Sequence, residues 1–229
     1  MFLQGQIGPQ ATYIGDGVFP VNVRLGRQQE VMVSELHGRF YEQSYRGYTF
    51  GIGNSDTALT TNNAAATSLG AAAKPILAVY NPSSTTNLVL LQTVLQVTTV
   101  GATAVSPAGF NFYSSYNQTA VSTGTKNGAT NLKTLQSSGS IATVFTGGNT
   151  ALTGLSGSLT FLRPVAVSPT INAAGAATAV SLASGNVVDQ VDGAILIPPN
   201  GILAIMTAVD VSVHASNVTC SMMWEEVPV

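Results

Sequence analysis

The residues able to do chemistry are few and scattered. The chain holds two histidines, one cysteine, and ten acidic side chains against eight lysines and arginines. A Ser-His-Asp set could be assembled from His214, Asp210 and any of many serines. No Gly-x-Ser-x-Gly elbow presents a nucleophile, however, and so much serine makes any such pairing uninformative. His214 lies in the alternating run Val211-Ser212-Val213-His214-Ala215 and reads as an outward or hydrogen-bonded structural side chain; His37 sits in a different region. Gly51-Ile52-Gly53 lacks the third glycine and the βαβ context of a dinucleotide fingerprint, and there is no phosphate-binding lysine loop. Glu225 and Glu226 are adjacent, so a strand sends them to opposite faces. Asp189, Asp192 and Asp210 would have to be gathered by the fold to hold calcium, and solvated turn carboxylates are the plainer reading. A single cysteine excludes an intrachain disulfide and a cysteine zinc cluster. Cys220 reads as a buried structural thiol, with a reactive thiol as the alternative. The expectation is a protein that is not an enzyme, with no catalytic residues, no metal and no cofactor.

The most informative cluster is made of arginine and tyrosine. Arg39, Tyr41, Tyr45, Arg46 and Tyr48 fall within ten residues, preceded by Arg24 and Arg27. These side chains join large contact area to a hydrogen-bonding tip and are enriched at interfaces. One reading is a docking arm that grips a neighbouring subunit. The other is a folded strand-and-loop region whose arginines pair with Glu30, Glu35 and Glu42. The lone tryptophan, Trp224, shares one strand face with Met222 and Glu226, and reads as core or intersubunit packing.

The elements that would position these residues are strands. Charged residues make up only 8% of the chain while hydrophobic residues make up 45%, so this is neither a disordered chain nor a highly charged one. A formal net charge of -2 argues against direct nucleic-acid binding or an anionic-membrane role. No apolar run reaches the length of a membrane span. Met1 to Gln10 lacks the basic start of a signal peptide, which predicts folding in a cytoplasm. So little charge favours an obligate assembly component, because free monomers usually carry more.

Pro75–Tyr80, Asn87–Val100, Phe110–Tyr116, Ile141–Thr146, Ser158–Val167, Ala177–Leu182 and Val218–Val227 read as strands. Val31–Val33 suggests a short strand, Leu36–Tyr45 a helical turn or two, residues 51–73 a loop, and 117–140 a long exposed excursion. Ala194–Ile197 and Ile202–Val209 flank Pro198-Pro199-Asn200-Gly201, which marks either a hairpin or a tight sheet-to-sheet corner. Short strands separated by frequent turns indicate an all-β sandwich or barrel. The organisation expected is an extended N-terminal arm or extra strands over residues 1–69 and a β-sandwich body over 70–229.

Several stretches resemble poorly characterised virion structural proteins of tailed bacteriophages. They are Leu25-Gly26-Arg27-Gln28-Gln29-Glu30, Ser34-Glu35-Leu36-His37-Gly38-Arg39-Phe40-Tyr41-Glu42, Val79-Tyr80-Asn81-Pro82 leading into Asn87–Leu91, Ile197–Gly201, and Trp224–Val229. The resemblance covers both ends and the first core strands, not residues 101–190. It implies a jelly-roll-like antiparallel β-sandwich without catalytic residues. Such a chain would decorate or cement the phage head as a dimer or trimer, with the major capsid protein or other virion subunits as partners. Its place would be the virion, assembled in the host cytoplasm. The alternatives are a head fibre, tail fibre or spike component with a host-recognition role, in which 117–140 would be the contact loop. A jelly-roll major capsid protein and a glycan-active enzyme come behind these; the enzyme would need two carboxylates about 5–10 Å apart across a cleft.

Overall fold

The computed structural model describes residues 40–59, 73–99, 109–119, 121–122, 124–126, 128–137, 139–146, 151–166, 187–207 and 216–229. The expected strands at Val31–Val33, Ala177–Leu182 and Val211–Ala215 lie outside these residues. The chain divides into two compact units, Met1–Glu42 and Gln43–Val229. Of the first, only residues 40–42 are described.

After a short helix α1 (Tyr41–Arg46) come the strands β1 (Thr49–Leu59), β2 (Leu77–Tyr80), β3 (Thr86–Thr99) and β4 (Phe110–Ser115). Three short strands follow, β5 (Thr125–Lys126), β6 (Thr130–Asn131) and β7 (Thr143–Thr146). The last four are β8 (Thr160–Ala166), β9 (Val187–Ile197), β10 (Ile202–Thr207) and β11 (Ser216–Pro228). They form two sheets, ordered β6-β1-β11-β3-β9 and β5-β7-β2-β10-β4-β8. Every described pairing is antiparallel.

Without β5, β6 and β7, the sheets read β1-β11-β3-β9 and β2-β10-β4-β8, and the chain alternates between them except from β4 to β8. That is the jelly-roll arrangement of eight strands in two Greek keys. The fold expected from the sequence is the fold observed. Strand β1 belongs to the sandwich, so the body starts before residue 70, and the stretch from Gly51 to Leu59 is strand rather than loop.

The strand faces follow the sequence once two bulges are allowed for. In β3, Leu88 and Leu90 point inward, then Leu91, Thr93 and Leu95 do so. The pairing with β11 slips between Met223 and Trp224, which places the extra residue at Leu91. One added residue switches the inward set, which explains apolar residues on both parities of this strand. In β1 the pairing with β11 slips after Asn54. The buried Asn54 amide fills the gap, accepting from the Cys220 N–H (3.0 Å) and donating to the Ile76 carbonyl (2.9 Å).

Between the sheets lie Trp224, Phe50, Phe110, Phe112, Leu88, Leu90 and Leu95. Burial of each such side chain stabilises the fold by about 1.5–3 kcal/mol. Phe50 and Trp224 stack with ring centroids 6.4 Å apart. A second core lies where Tyr80, Tyr113, Phe145, Ile202, Ala204 and Met206 meet Val121, Leu152 and Leu159. This explains why β10, Ile-Leu-Ala-Ile-Met-Thr, is buried at every position. Residues 117–140 are therefore not a freely exposed excursion. Gln118, Val121, Ala129, Asn131 and Ser140 are all buried.

The run around Pro198-Pro199-Asn200-Gly201 is the corner and not the hairpin. β9 pairs with β3 in one sheet, and β10 pairs with β2 and β4 in the other. Buried Asn81 pins this corner, donating to the carbonyls of Ile197 (3.0 Å) and Thr86 (2.8 Å) and accepting from the Ser83 N–H (3.1 Å).

Candidate functional surface

The two lateral sides of the sandwich differ. On one side the connection from β4 to β8 supplies added strands: β6 pairs with β1, β7 pairs with β2, and β5 pairs with β7. On the other side β8 and β9 are the last strands of their sheets. Arg163 of β8 reaches across to Asp189 of β9 at 2.7 Å, with its guanidinium 5.2 Å from the Phe112 ring centre.

Neither outer strand offers a plain edge. β8 contains Pro164, which has no N–H to give. β9 carries a bulge in which Asp192 and Gly193 have φ of 53° and 83°, and the register against β3 shifts there. Both devices discourage strand addition. What this side presents is side chains.

Towards the corner, this side opens into a groove of about 560 Å³. Its apolar surface comes from Leu162, Ile195, Leu196, Pro198 and Ile202, and its polar rim from hydroxyls such as Ser114, Ser158 and Thr160. The lining contains no carboxylate, imidazole, amine or guanidinium. Such a groove gives contact area and hydrogen bonds to an uncharged partner. Large apolar side chains of its lining stand exposed: Tyr116 is 73% exposed, Leu196 48% and Leu162 44%. Exposed apolar side chains around a groove are a feature of contact sites.

The groove walls are held in place by Gln118, which is fully surrounded. Its amide donates to Ser115 Oγ (2.8 Å) and the Tyr116 carbonyl (3.1 Å) and accepts from the Ser156 N–H (2.8 Å). Its backbone carbonyl accepts from the Tyr80 hydroxyl at 3.0 Å. Neither Gln118 nor the groove was predicted. A glutamine inside a Ser/Thr/Asn-rich run carries no local signal, and the groove needs four strands, β4, β8, β9 and β10, brought together from both sheets.

The expected interface residues separate into three groups. Arg24, Arg27 and Arg39 lie outside the described residues. Tyr41, Tyr45, Arg46 and Tyr48 are exposed on and just after α1, and Lys133 sits 5.1 Å over the Tyr45 ring. Trp224 is completely buried against Phe50, so it is a core residue and offers nothing to an interface. Of the acidic residues weighed for calcium, Asp189 is engaged by Arg163, Asp192 lies in the β9 bulge, and Asp210 is outside the described residues. His37 and His214 also lie outside them. Cys220 is buried, and burial pushes its thiol far above the usual thiol range, so the structural reading applies.

Glu226 carries a buried carboxylate. It accepts from Ser140 Oγ (2.7 Å) and from the Ile141 N–H (3.1 Å). Burial pushes its carboxyl above the ordinary carboxylate value, and those hydrogen bonds oppose the shift without cancelling it. The Trp224 indole points the same way but closes no hydrogen bond of ordinary geometry. Glu225 faces the other side of the strand, as the alternation predicts.

Fold and surface together define a jelly-roll β-sandwich with one side covered by added strands and one side grooved. The chain matches no family model, no curated protein and no solved structure.

Proposed function

We propose that this chain is a structural subunit of a tailed-phage virion, acting as a decoration or cement protein on the head. The observation that carries the reading is the open side of the jelly roll. It holds an uncharged groove of mixed apolar and hydroxyl lining, with exposed Tyr116, Leu162 and Leu196, on a chain with only 8% charged residues. A surface of that kind gains free energy by being covered, and a head under internal pressure gains stability from every subunit contact so formed. The exposed Tyr45, Arg46 and Tyr48 suit a second contact, to the capsid. The sequence resemblance to virion structural proteins points the same way.

The test is cosedimentation of the purified full chain with empty capsids of its cognate phage. Saturable binding at a fixed ratio to the major capsid protein is expected, together with capsids that resist heat better when decorated. A chain that stays in the supernatant at every ratio overturns the head assignment.

A further inference from the structure

We propose that Glu226 is a proton-operated latch: its carboxyl holds the end of the β4–β8 connection against the last strand, and loss of its proton lets that connection open from the edges of β1 and β2. The device goes beyond the reading above and does not depend on it.

Both sides of the contact are fixed and buried. Glu226 is 8% exposed and Ser140 2%. The Glu226 backbone belongs to β11, where its N–H donates to the Tyr48 carbonyl (2.9 Å) and Leu88 of β3 lies opposite. Its carboxyl meets the connection. Ser140 Oγ donates to Oε1 at 2.7 Å, and the Ile141 N–H reaches Oε1 at 3.1 Å and Oε2 at 3.4 Å. The Ala142 N–H donates to Ser140 Oγ at 3.1 Å, which orients the hydroxyl. These three consecutive residues lead directly into β7.

The two carboxyl oxygens are not equivalent. Both shorter bonds fall on Oε1, so a proton on Oε2 breaks neither and the latch stays closed. An ionised carboxyl keeps the same bonds but must hold a full charge out of water. The groups acting on it are the Ser140 hydroxyl, the N–H groups of Ile141 and Ala142 and the Trp224 indole, all uncharged. Opposite it β3 presents Leu88, and β1 is preceded by Tyr48, whose ring is half exposed. Glu225 faces the other side of the strand, Arg46 lies on α1 and Lys133 lies over the Tyr45 ring; none of the three acts on its titration. Burial without a cation outweighs the donors and pushes the carboxyl above the ordinary carboxylate value. Opening the connection hydrates the carboxylate and relieves that cost. Closure is therefore strongest below the unfolded value and weakens as pH rises through the folded one.

The connection is suited to open by itself. Its strands β5 and β6 are two residues each and β7 is four, so few backbone bonds hold it. Ala142 and Val144 pack in the core, so the open form is a minor state whose population the proton sets. β6 meets β1 at Phe50 and Gly51, and β7 runs along β2 from Leu77 to Tyr80. Opening turns β1 and β2 into free sheet edges, where another strand can pair.

The test is amide hydrogen exchange of the full chain from about pH 5 to about pH 8, each rate divided by that of an unstructured chain at the same pH. In wild type, protection at Thr143–Thr146 should be lower than in β10 at every pH, and should fall about threefold or more as pH rises. Protection in β8, on the other side of the sandwich, should not follow it. Glu226→Gln keeps an acceptor for Ser140 and Ile141 and cannot ionise, so its β7 protection should be flat. Should Glu226→Gln fail to fold, Ser140→Ala, which takes a donor from the charged form, should steepen the wild-type fall. A flat wild-type profile overturns the proposal, as does an unchanged fall in Glu226→Gln or a Ser140→Ala profile no steeper than wild type. β7 amides as protected as those of β10 also overturn it, because the connection then opens only with the whole fold.

Discussion

Ser140 donates its hydroxyl proton to the Glu226 carboxylate across 2.7 Å, although 86 residues separate them in the chain. The contact ties the connection between β4 and β8 to the last strand of the jelly roll. It also leaves a carboxylate buried with hydroxyl and amide donors in place of a cation.

This carboxyl gives the protein a predictable pH dependence. Burial raises its folded-state pKa above the unfolded value. The folded state then binds the proton more tightly than the unfolded one. Stability from this group is fully present below the unfolded value and is lost as pH rises through the folded value. Melting temperatures of wild type and Glu226→Gln, followed from about pH 8 to about pH 4, should diverge in favour of wild type as pH falls. A constant difference across that window would show that the carboxyl titrates normally. Taking the difference matters, because burial raises the Glu225 carboxyl as well.

Trp224 has no exposed surface and stacks on Phe50. Trp224→Ala should cost about 3–5 kcal/mol, measured by chemical denaturation. A cycle with Phe50→Leu should show coupling of about 0.5–1.5 kcal/mol. As the lone tryptophan, Trp224 should fluoresce in the blue when native and shift red on unfolding.

The corner after β9 depends on Asn81 and on the absence of a side chain at Gly201. A Cβ there would stand 2.9 Å from both the carbonyl oxygen and Cδ of Pro198. Gly201→Ala should destabilise by about 1–3 kcal/mol. Asn81→Ala leaves the buried carbonyls of Thr86 and Ile197 without this donor, and a loss of about 1–3 kcal/mol for each group left unsatisfied is expected. Denaturation midpoints unchanged from wild type would show that the corner forms without these contacts.

Thr93 points into the core between the sheets, and its hydroxyl finds no partner. Thr93→Val keeps the shape and removes the stranded polar atom, so unfolding free energy should rise by about 1 kcal/mol or more. A lower midpoint for this variant would mean that the hydroxyl is satisfied in solution.

Much of the jelly roll was legible residue by residue. Strands β2, β3, β4, β7, β8 and β11 fall within a few residues of their expected limits, because β-branched and aromatic runs between Pro, Asn and Gly clusters define them locally. The inward face of β11, with Met222, Trp224 and Glu226 buried, follows from simple alternation. Strand β1 was missed. Thr49-Phe50-Gly51-Ile52-Gly53-Asn54 has two glycines on one face and a polar bulge residue, so its strand state depends on pairing with β11. Trp224 carried the chemistry of an interface residue, and only the position of β1 shows that Phe50 already covers it.

By itself, the sequence determined that the protein is built of antiparallel strands, poor in charge and without a recognisable catalytic constellation. Those properties are set by composition and by contacts a few residues apart. Tertiary structure alone decided that the Pro-Pro-Asn-Gly run crosses between sheets, that β5, β6 and β7 extend the sheets on one side of the sandwich, and that β8 and β9 leave a groove on the other. Each of these depends on which distant strands pair. That choice is made by burying apolar faces held in common by segments far apart in the chain, and no local pattern records it.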